Sequence, residues 1–255
     1  GSKNTLKGAG FFLGSLSLSL LGYKETLSIF IFFLLLLLIF SIISLRNYSG
    51  LMKKKEKFSK LFSKSNSINI LSASRVFLFG ARDIWFVVGV PIFFYDKLSW
   101  SFTEVGSFMA SWIIFYGIIQ SLAPKLLKIF YGNNFSENEQ AFIWAIKLLL
   151  IITCLGILSY TYDYNGYLIC MGLFLFGFIF AINSSIHSYL ILALAKKNDV
   201  TLDVGFYYMA NAMGRLLGCI ISGFSYQMAG LIGCFVFAGI FLFFCSVFSF
   251  YLKSY

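Results

Sequence analysis

Four polar residues recur at every fourth position of one long apolar stretch: Asp203, Tyr207, Asn211 and Arg215, with Tyr208 beside them. Residues four apart share one face of an α-helix, so the sequence predicts a polar stripe that lines a substrate-binding site. Arg215 falls near the middle of the stretch, too deep for its side chain to reach water easily. A guanidinium binds carboxylate, phosphate or arsenate through paired contacts, so we expect Arg215 to contact an anionic substrate. The alternative is a structural ion pair between Arg215 and an aspartate.

A second pair of charges, Arg82 and Asp83, lies inside another apolar stretch. A charge at the centre of a membrane helix costs about 2.5–3.5 kcal/mol on insertion scales, so each needs a partner or a function. Adjacent helix residues point about 100° apart, and we therefore expect the two side chains to face different partners. Arg82 is a candidate anion ligand, and Asp83 is either a proton-coupling group or a structural counter-ion. Arg75, ahead of them, is expected to anchor the helix at the membrane interface.

Two more polar pairs have i, i+4 spacing. Asn183 and His187 lie toward one end of an apolar stretch, and Tyr116 and Gln120 end another. Asn183 and Gln120 are therefore further candidates for substrate binding. His187 is either a proton relay or a hydrogen-bonded structural residue.

The composition limits the class of protein. Hydrophobic residues make up 59% of the 255 residues and charged residues 12%, with a mean hydropathy of +0.85. Such a chain cannot cover a water-facing surface, so we expect a lipid bilayer around it. The net charge of +10 lies mainly in short segments between apolar runs, which argues against nucleic acid as a partner.

Signatures of enzymes and metal sites are missing from the sequence. It has no P-loop, GxSxG, HExxH or CxxC motif, and it contains one histidine and five cysteines within apolar runs. We therefore expect no catalytic residues, no cofactor, no metal ion and no ATP-driven step.

Apolar runs long enough to span a bilayer, about 20 residues each, predict the membrane topology. With both termini placed in the cytoplasm, fifteen Lys and Arg residues fall in inner segments and two, Lys24 and Lys97, in outer loops. The spans 27–45 and 229–252 carry no charge and are expected to face lipid. The eight predicted spans are 8–23, 27–45, 76–95, 105–122, 141–160, 167–194, 204–226 and 229–252.

A long basic segment, 46–75, separates two predicted spans from six. It contains Phe58, Leu61 and Phe62 at helical spacing, which indicates either an amphipathic helix on the inner membrane face or a charged linker. The grouping resembles the major facilitator superfamily, whose two six-helix halves are joined by a long inner loop. Residues 1–45 would be the last two helices of the N-terminal half and 76–255 the C-terminal half. The eight helices would then be helices 5–12 of twelve.

Four segments carry a more specific resemblance: 3–14, 77–88, 116–124 and, most strongly, 205–218. Together they resemble the ArsJ family of organoarsenical efflux permeases in the major facilitator superfamily. The resemblance implies export across the inner membrane of 1-arseno-3-phosphoglycerate, which a partner glyceraldehyde-3-phosphate dehydrogenase makes from arsenate. It implies arsenate resistance as the outcome. Pentavalent arsenic does not seek thiols, so no cysteine cluster is required.

Two other functions remain open from the residues themselves. The same arginines suit a transporter of another small organic anion, such as a sugar phosphate. A truncated membrane protein that does not transport is the third hypothesis.

Overall fold

Residues 2–45, 65–132, 136–161, 165–195 and 200–252 are described in a computed structural model, with only the backbone described for residues 2–5. These ranges are almost entirely α-helical and contain no β-strand. The seven helices in this part of the chain are α1 (Ser2–Leu21), α2 (Tyr23–Leu45), α3 (Asn66–Asp96), α4 (Phe102–Tyr131), α5 (Glu137–Thr161), α6 (Gly166–Leu194) and α7 (Val200–Leu252).

Six of these helices, α2 to α7, are long and apolar enough to cross a membrane. The apolar part of α1, Leu6–Leu21, is shorter. The prediction of an all-α membrane protein is confirmed at this level. The number of crossings, the orientation and the superfamily stay predictions.

Helix α7 is a helical hairpin. Backbone angles at Ala229 (φ −149°) and Gly230 (φ 59°) interrupt it, as expected between the predicted spans 204–226 and 229–252. The limb 200–228 runs parallel to α3, because Gly214 lies against Val76 and Ser222 against Gly89. The limb 231–252 runs antiparallel, because Cys234 lies against Gly89 and Cys245 against Ser74. Each of the eight predicted spans lies largely within a helix.

The start of α3 differs from the prediction. The helix begins at Asn66 instead of residue 76, and Ser65 Oγ caps it by accepting a hydrogen bond from Ile68 N at 3.4 Å. Polar residues lower the mean hydropathy of this first part, which is why the predicted span starts later. Ser74 is nevertheless buried, and its Oγ lies 2.8 Å from Ser249 Oγ. Residues 66–75 therefore belong to the helix bundle. Segment 46–64, with its proposed amphipathic helix, lies outside the described residues.

A π-helical segment, Trp85–Gly89, interrupts the α-helical pattern of α3. Ser222 Oγ, from α7, accepts hydrogen bonds from Val88 N and Gly89 N, both at 3.3 Å. A π-turn shifts backbone partners by one residue and often occurs at functional sites. This segment directly follows the Arg82–Asp83 pair.

Helices α1 and α2 are attached to one side of the α3–α7 bundle. Gly8 of α1 lies against Ile114 and Ala110 of α4, and Ser15 lies against Gly106, so the two helices are antiparallel. In α2, Thr26 is the only buried residue, and the run from Leu34 to Leu38 is exposed, as expected for a lipid-facing helix. The limb 231–252, also expected to face lipid, buries one face and exposes the other.

Candidate functional site

A cavity of about 430 Å³ lies between α1 and the helices α3, α4 and α7. Most of its wall is apolar and aromatic, including Phe86 and Trp112. Its charged lining residues are Lys7 from α1, Arg82 and Asp83 from α3, and Arg215 from α7.

An apolar groove of about 560 Å³ adjoins the cavity along α1, α3 and α4. It is larger, but Lys7 is its single charged lining residue. The smaller cavity holds the charged chemistry and is the candidate site.

Asp83 forms the centre of the charged group in the cavity. It is fully buried, and its Oδ1 accepts a hydrogen bond from Arg82 Nε at 2.6 Å, while Arg82 Nη2 also pairs with it. Its Oδ2 accepts a hydrogen bond from Arg215 Nε at 3.0 Å. Arg82 and Asp83 were expected to face different partners; Asp83 does contact Arg215, but the long Arg82 side chain also reaches its neighbour despite the different directions of the Cβ atoms.

The charges lining the cavity do not balance. Lys7, Arg82 and Arg215 are cations, and Asp83 is the one carboxylate among the described lining residues. The side chain of Arg215 is 46% exposed, whereas that of Asp83 is 1% exposed. Arg215 therefore forms an ion pair with an aspartate and also keeps part of its side chain accessible to a substrate. An excess of accessible cations attracts an anion.

A second polar cluster surrounds Arg75, which is 4% exposed. Its Nε donates to Asn211 Oδ1 at 3.2 Å, and its Nη1 donates to the Ser184 carbonyl oxygen at 3.2 Å. The guanidinium also lies over the Phe79 ring, 3.9 Å from the centroid, and 4.9 Å from the centroid of Tyr207. The interpretation of Arg75 as an interface anchor is wrong, because the helix starts ten residues earlier and buries it.

Ser184 joins this cluster to the cavity. Its Oγ lies 3.3 Å from Arg75 Nη1, 3.3 Å from Tyr116 Oη and 3.4 Å from Gln120 Nε2. Tyr116 also lines the cavity. One tyrosine side chain therefore contacts both the cavity and the hydroxyl that holds Arg75.

The structure thus divides the candidate residues into groups. Arg82, Asp83 and Arg215 meet at the cavity, whereas Asn211, Tyr207 and Gln120 belong to the cluster around Arg75. Tyr208 is 59% exposed and packs against the Tyr207 ring, outside the cavity. Asn183 and His187 are fully buried in α6.

Sequence reasoning missed three residues of these clusters. Arg75 was expected only to anchor a helix, and neither Lys7 nor Ser184 was among the candidate site residues. A detectable signal existed for Arg75, because it precedes Arg82 by seven residues, or two helical turns.

The described residues hold no group of three or more His, Cys, Asp or Glu side chains placed to bind a metal ion. The five cysteines are free thiols, and Cys219 is the one that lines the cavity.

No family model, curated protein or solved structure matches this chain.

Proposed function

We propose that this chain is part of a major facilitator-type efflux transporter for a small organic anion, with 1-arseno-3-phosphoglycerate as its substrate. The observation that carries the proposal is the cationic excess of the cavity, in which Lys7, Arg82 and Arg215 accompany a single carboxylate, Asp83. The lining residues carry more positive than negative charge within apolar helices, and an anionic ligand would be attracted to that excess.

In this proposal the substrate exchanges partners with Asp83. Arg215 holds Asp83 through one 3.0 Å hydrogen bond and exposes much of its side chain. A phosphate or arsenate oxygen that enters the cavity would take the remaining donors of Arg215 and Arg82 and form charge-assisted hydrogen bonds. Asp83 would then pair with both arginines while the cavity is empty, and these ion pairs would weaken when substrate binds.

The position of α1 supports a transporter with two halves. In the proposed arrangement α1 and α2 belong to the N-terminal half and α3 to α7 to the C-terminal half, and the basic segment 46–64 joins them. A cavity whose wall combines Lys7 of α1 with Arg82 and Arg215 of the bundle is then a cavity between halves. Relative movement of the halves would open it alternately to each side of the membrane. We place both termini in the cytoplasm and the protein in the inner membrane.

The arsenic-specific part of the proposal depends on the resemblance. The two most specific segments, 77–88 and 205–218, contain Arg82, Asp83 and Arg215, and these residues meet at one cavity. The cavity requires no thiol chemistry for a pentavalent arsenic ester. Its substrate would come from a glyceraldehyde-3-phosphate dehydrogenase that uses arsenate.

The proposal is tested by arsenic retention in an arsenate-sensitive bacterial host. The full-length transporter is expressed with and without its dehydrogenase partner, and cell arsenic is measured after exposure to arsenate. We expect arsenic to fall only when both proteins are present. Arg215→Gln should abolish the effect. Lys147→Gln is the matched control, because Lys147 lies away from the cavity against Trp144 and Tyr131.

The two alternative functions are distinguished by measuring anion binding alongside arsenic retention. Unchanged retention by a membrane-inserted chain that still binds sugar phosphates would replace the arsenic ester with another organic anion. Unchanged retention without anion binding would leave a membrane protein that does not transport.

A further inference from the structure

Arg75 uses only part of its hydrogen-bonding capacity. A guanidinium has five N–H donors, and here Nε and Nη1 supply the three hydrogen bonds, to Asn211 and Ser184, at 3.2–3.3 Å. Arg75 is only 4% exposed, yet its Nη2 donates no hydrogen bond to any residue in the described ranges. Across those same ranges, the only ion pairs of membrane-embedded arginines are those of Arg82 and Arg215 with Asp83. Among the described residues, Arg75 is thus a buried cation without a carboxylate partner.

Arg75 is aligned with the cavity. It precedes Arg82 by two turns of α3, and both guanidinium groups lie against the Phe79 ring, at 3.9 Å and 5.0 Å from its centroid. The two charged groups are therefore less than about 9 Å apart and contact the same aromatic ring. Tyr116 lines the cavity, and its hydroxyl lies 3.3 Å from Ser184 Oγ, which is itself a partner of Arg75.

Other polar atoms of α6 near this cluster also have no partner. Both ring nitrogens of His187 and both amide atoms of Asn183 are buried and unpaired with respect to the described residues. His187 lies one helical turn after Asn183, which directly precedes Ser184, a partner of Arg75. Buried polar atoms are normally hydrogen-bonded, so a cluster of unpaired ones indicates a place where a polar ligand binds.

We infer that Arg75 forms a second anion subsite behind the cavity, which binds the second anionic group of the transported molecule. This inference rests on the proposed function and assigns a residue to the far end of its substrate. Arg82 and Arg215 bind one anionic group in the cavity. Arg75 binds the other, through Nη2, once Tyr116 moves aside.

The test compares two ligands that differ only at one end. Glycerol 3-phosphate carries a phosphate and a terminal hydroxyl, whereas 3-phosphoglycerate carries a phosphate and a carboxylate. The purified chain in lipid nanodiscs is titrated with each ligand by calorimetry. We expect 3-phosphoglycerate to bind the wild-type chain about tenfold more tightly than glycerol 3-phosphate.

The arginine variants separate the two subsites. Arg75→Gln should bring the affinity ratio of the two ligands close to one and leave the affinity for glycerol 3-phosphate within about twofold of wild type. Arg215→Gln should weaken both ligands together. Lys147→Gln is the control for loss of a charge elsewhere and should change neither affinity.

The inference is overturned if wild type binds both ligands equally, or if Arg75→Gln leaves their ratio unchanged. If wild type binds neither ligand, the proposed function fails as well. Should Arg75→Gln not fold, Arg75→Lys and Asn211→Ala decide, because the first keeps the charge without the planar fork and the second removes a support of the fork. Both should lower the ratio, and an unchanged ratio in both would contradict the second subsite.

Discussion

Arg215 and Asp83 are joined by one 3.0 Å hydrogen bond, from Nε to Oδ2, although 132 residues separate them in the sequence. The bond ties the limb 200–228 of α7 to α3 at the cavity wall. Its two ends are unequal, because the Asp83 side chain is 1% exposed and that of Arg215 is 46% exposed. Arg215 is consequently the member of the pair that can change partners.

Neutralising the carboxylate should strengthen anion binding and weaken the fold. Asp83→Asn removes the internal competitor for Arg82 and Arg215, and we expect 3-phosphoglycerate to bind about tenfold more tightly. The free energy of unfolding should fall by about 2 kcal/mol, less than the about 3–5 kcal/mol of a fully buried pair, because Arg215 is partly exposed. Calorimetric titration and thermal unfolding in detergent measure the two effects.

Asp96→Asn is the matched control, because Asp96 is exposed at the end of the same helix, α3. It should alter neither quantity. Combining Asp83→Asn with Arg215→Gln should recover part of the lost stability, since the two residues are in direct contact. Additive losses in the double variant would show that the pair is not coupled.

Gly214 should tolerate no side chain. A Cβ atom there would lie 2.2 Å from the backbone oxygen of Val76, so Gly214→Ala must push α7 away from α3. We expect a loss of about 1–3 kcal/mol in the free energy of unfolding. Gly223→Ala is the control on the same limb, with nothing within 4 Å of its added Cβ. That variant should be neutral or stabilising by up to about 1 kcal/mol, and equal losses in both would rule out the close approach.

Ser222 should stabilise the π-helical segment. Ser222→Ala leaves Val88 N and Gly89 N without their acceptor, at a cost of about 1–3 kcal/mol in the free energy of unfolding. Ser246→Ala is a suitable control, because that buried hydroxyl bonds only a carbonyl of its own helix, Leu242 O. Thermal unfolding of both variants in detergent checks the difference. A loss no larger at position 222 than at 246 would contradict the role assigned to Ser222.

The predicted orientation can be checked by labelling introduced cysteines. In a chain without its native cysteines, Lys97→Cys should react with a membrane-impermeant maleimide in intact cells. Lys128→Cys should react only after the membrane is permeabilised, because positive loops remain in the cytoplasm. Both positions are exposed. The reverse pattern would place the termini on the outer side.

The helices could largely be predicted from hydropathy, because runs such as Leu34 to Leu38 have no other stable surroundings than lipid or a protein interior. The break in α7 was also predictable, since Gly230 tolerates a positive φ at little cost. The start of α3 was not, because residues such as Ser74 and Arg75 are polar and yet face neighbouring helices.

The site was only partly predictable for a related reason. Spacing along one helix placed Asn211 and Arg215 on the same stripe, but it could not show which residues of other helices they meet. Asn211 binds Arg75 and Arg215 binds Asp83, so the stripe serves two clusters. The pairing of Arg82 with its neighbour Asp83 depends on how the long side chain bends, which Cβ directions do not determine.

The π-helical segment Trp85–Gly89 also sets the rotational phase of the end of α3. One extra residue in a turn rotates everything after it by about 100° relative to an uninterrupted α-helix. In this phase Phe93 and Phe94 are buried, whereas Ile92 and Tyr95 on either side of them are exposed. Deleting a single residue from this segment would leave Arg75 and Arg82 on their face and turn Phe93 into the exposed direction that Ile92 now has. The π-helical segment therefore determines which side of the last part of α3 is buried, without changing the direction of the charged residues that precede it.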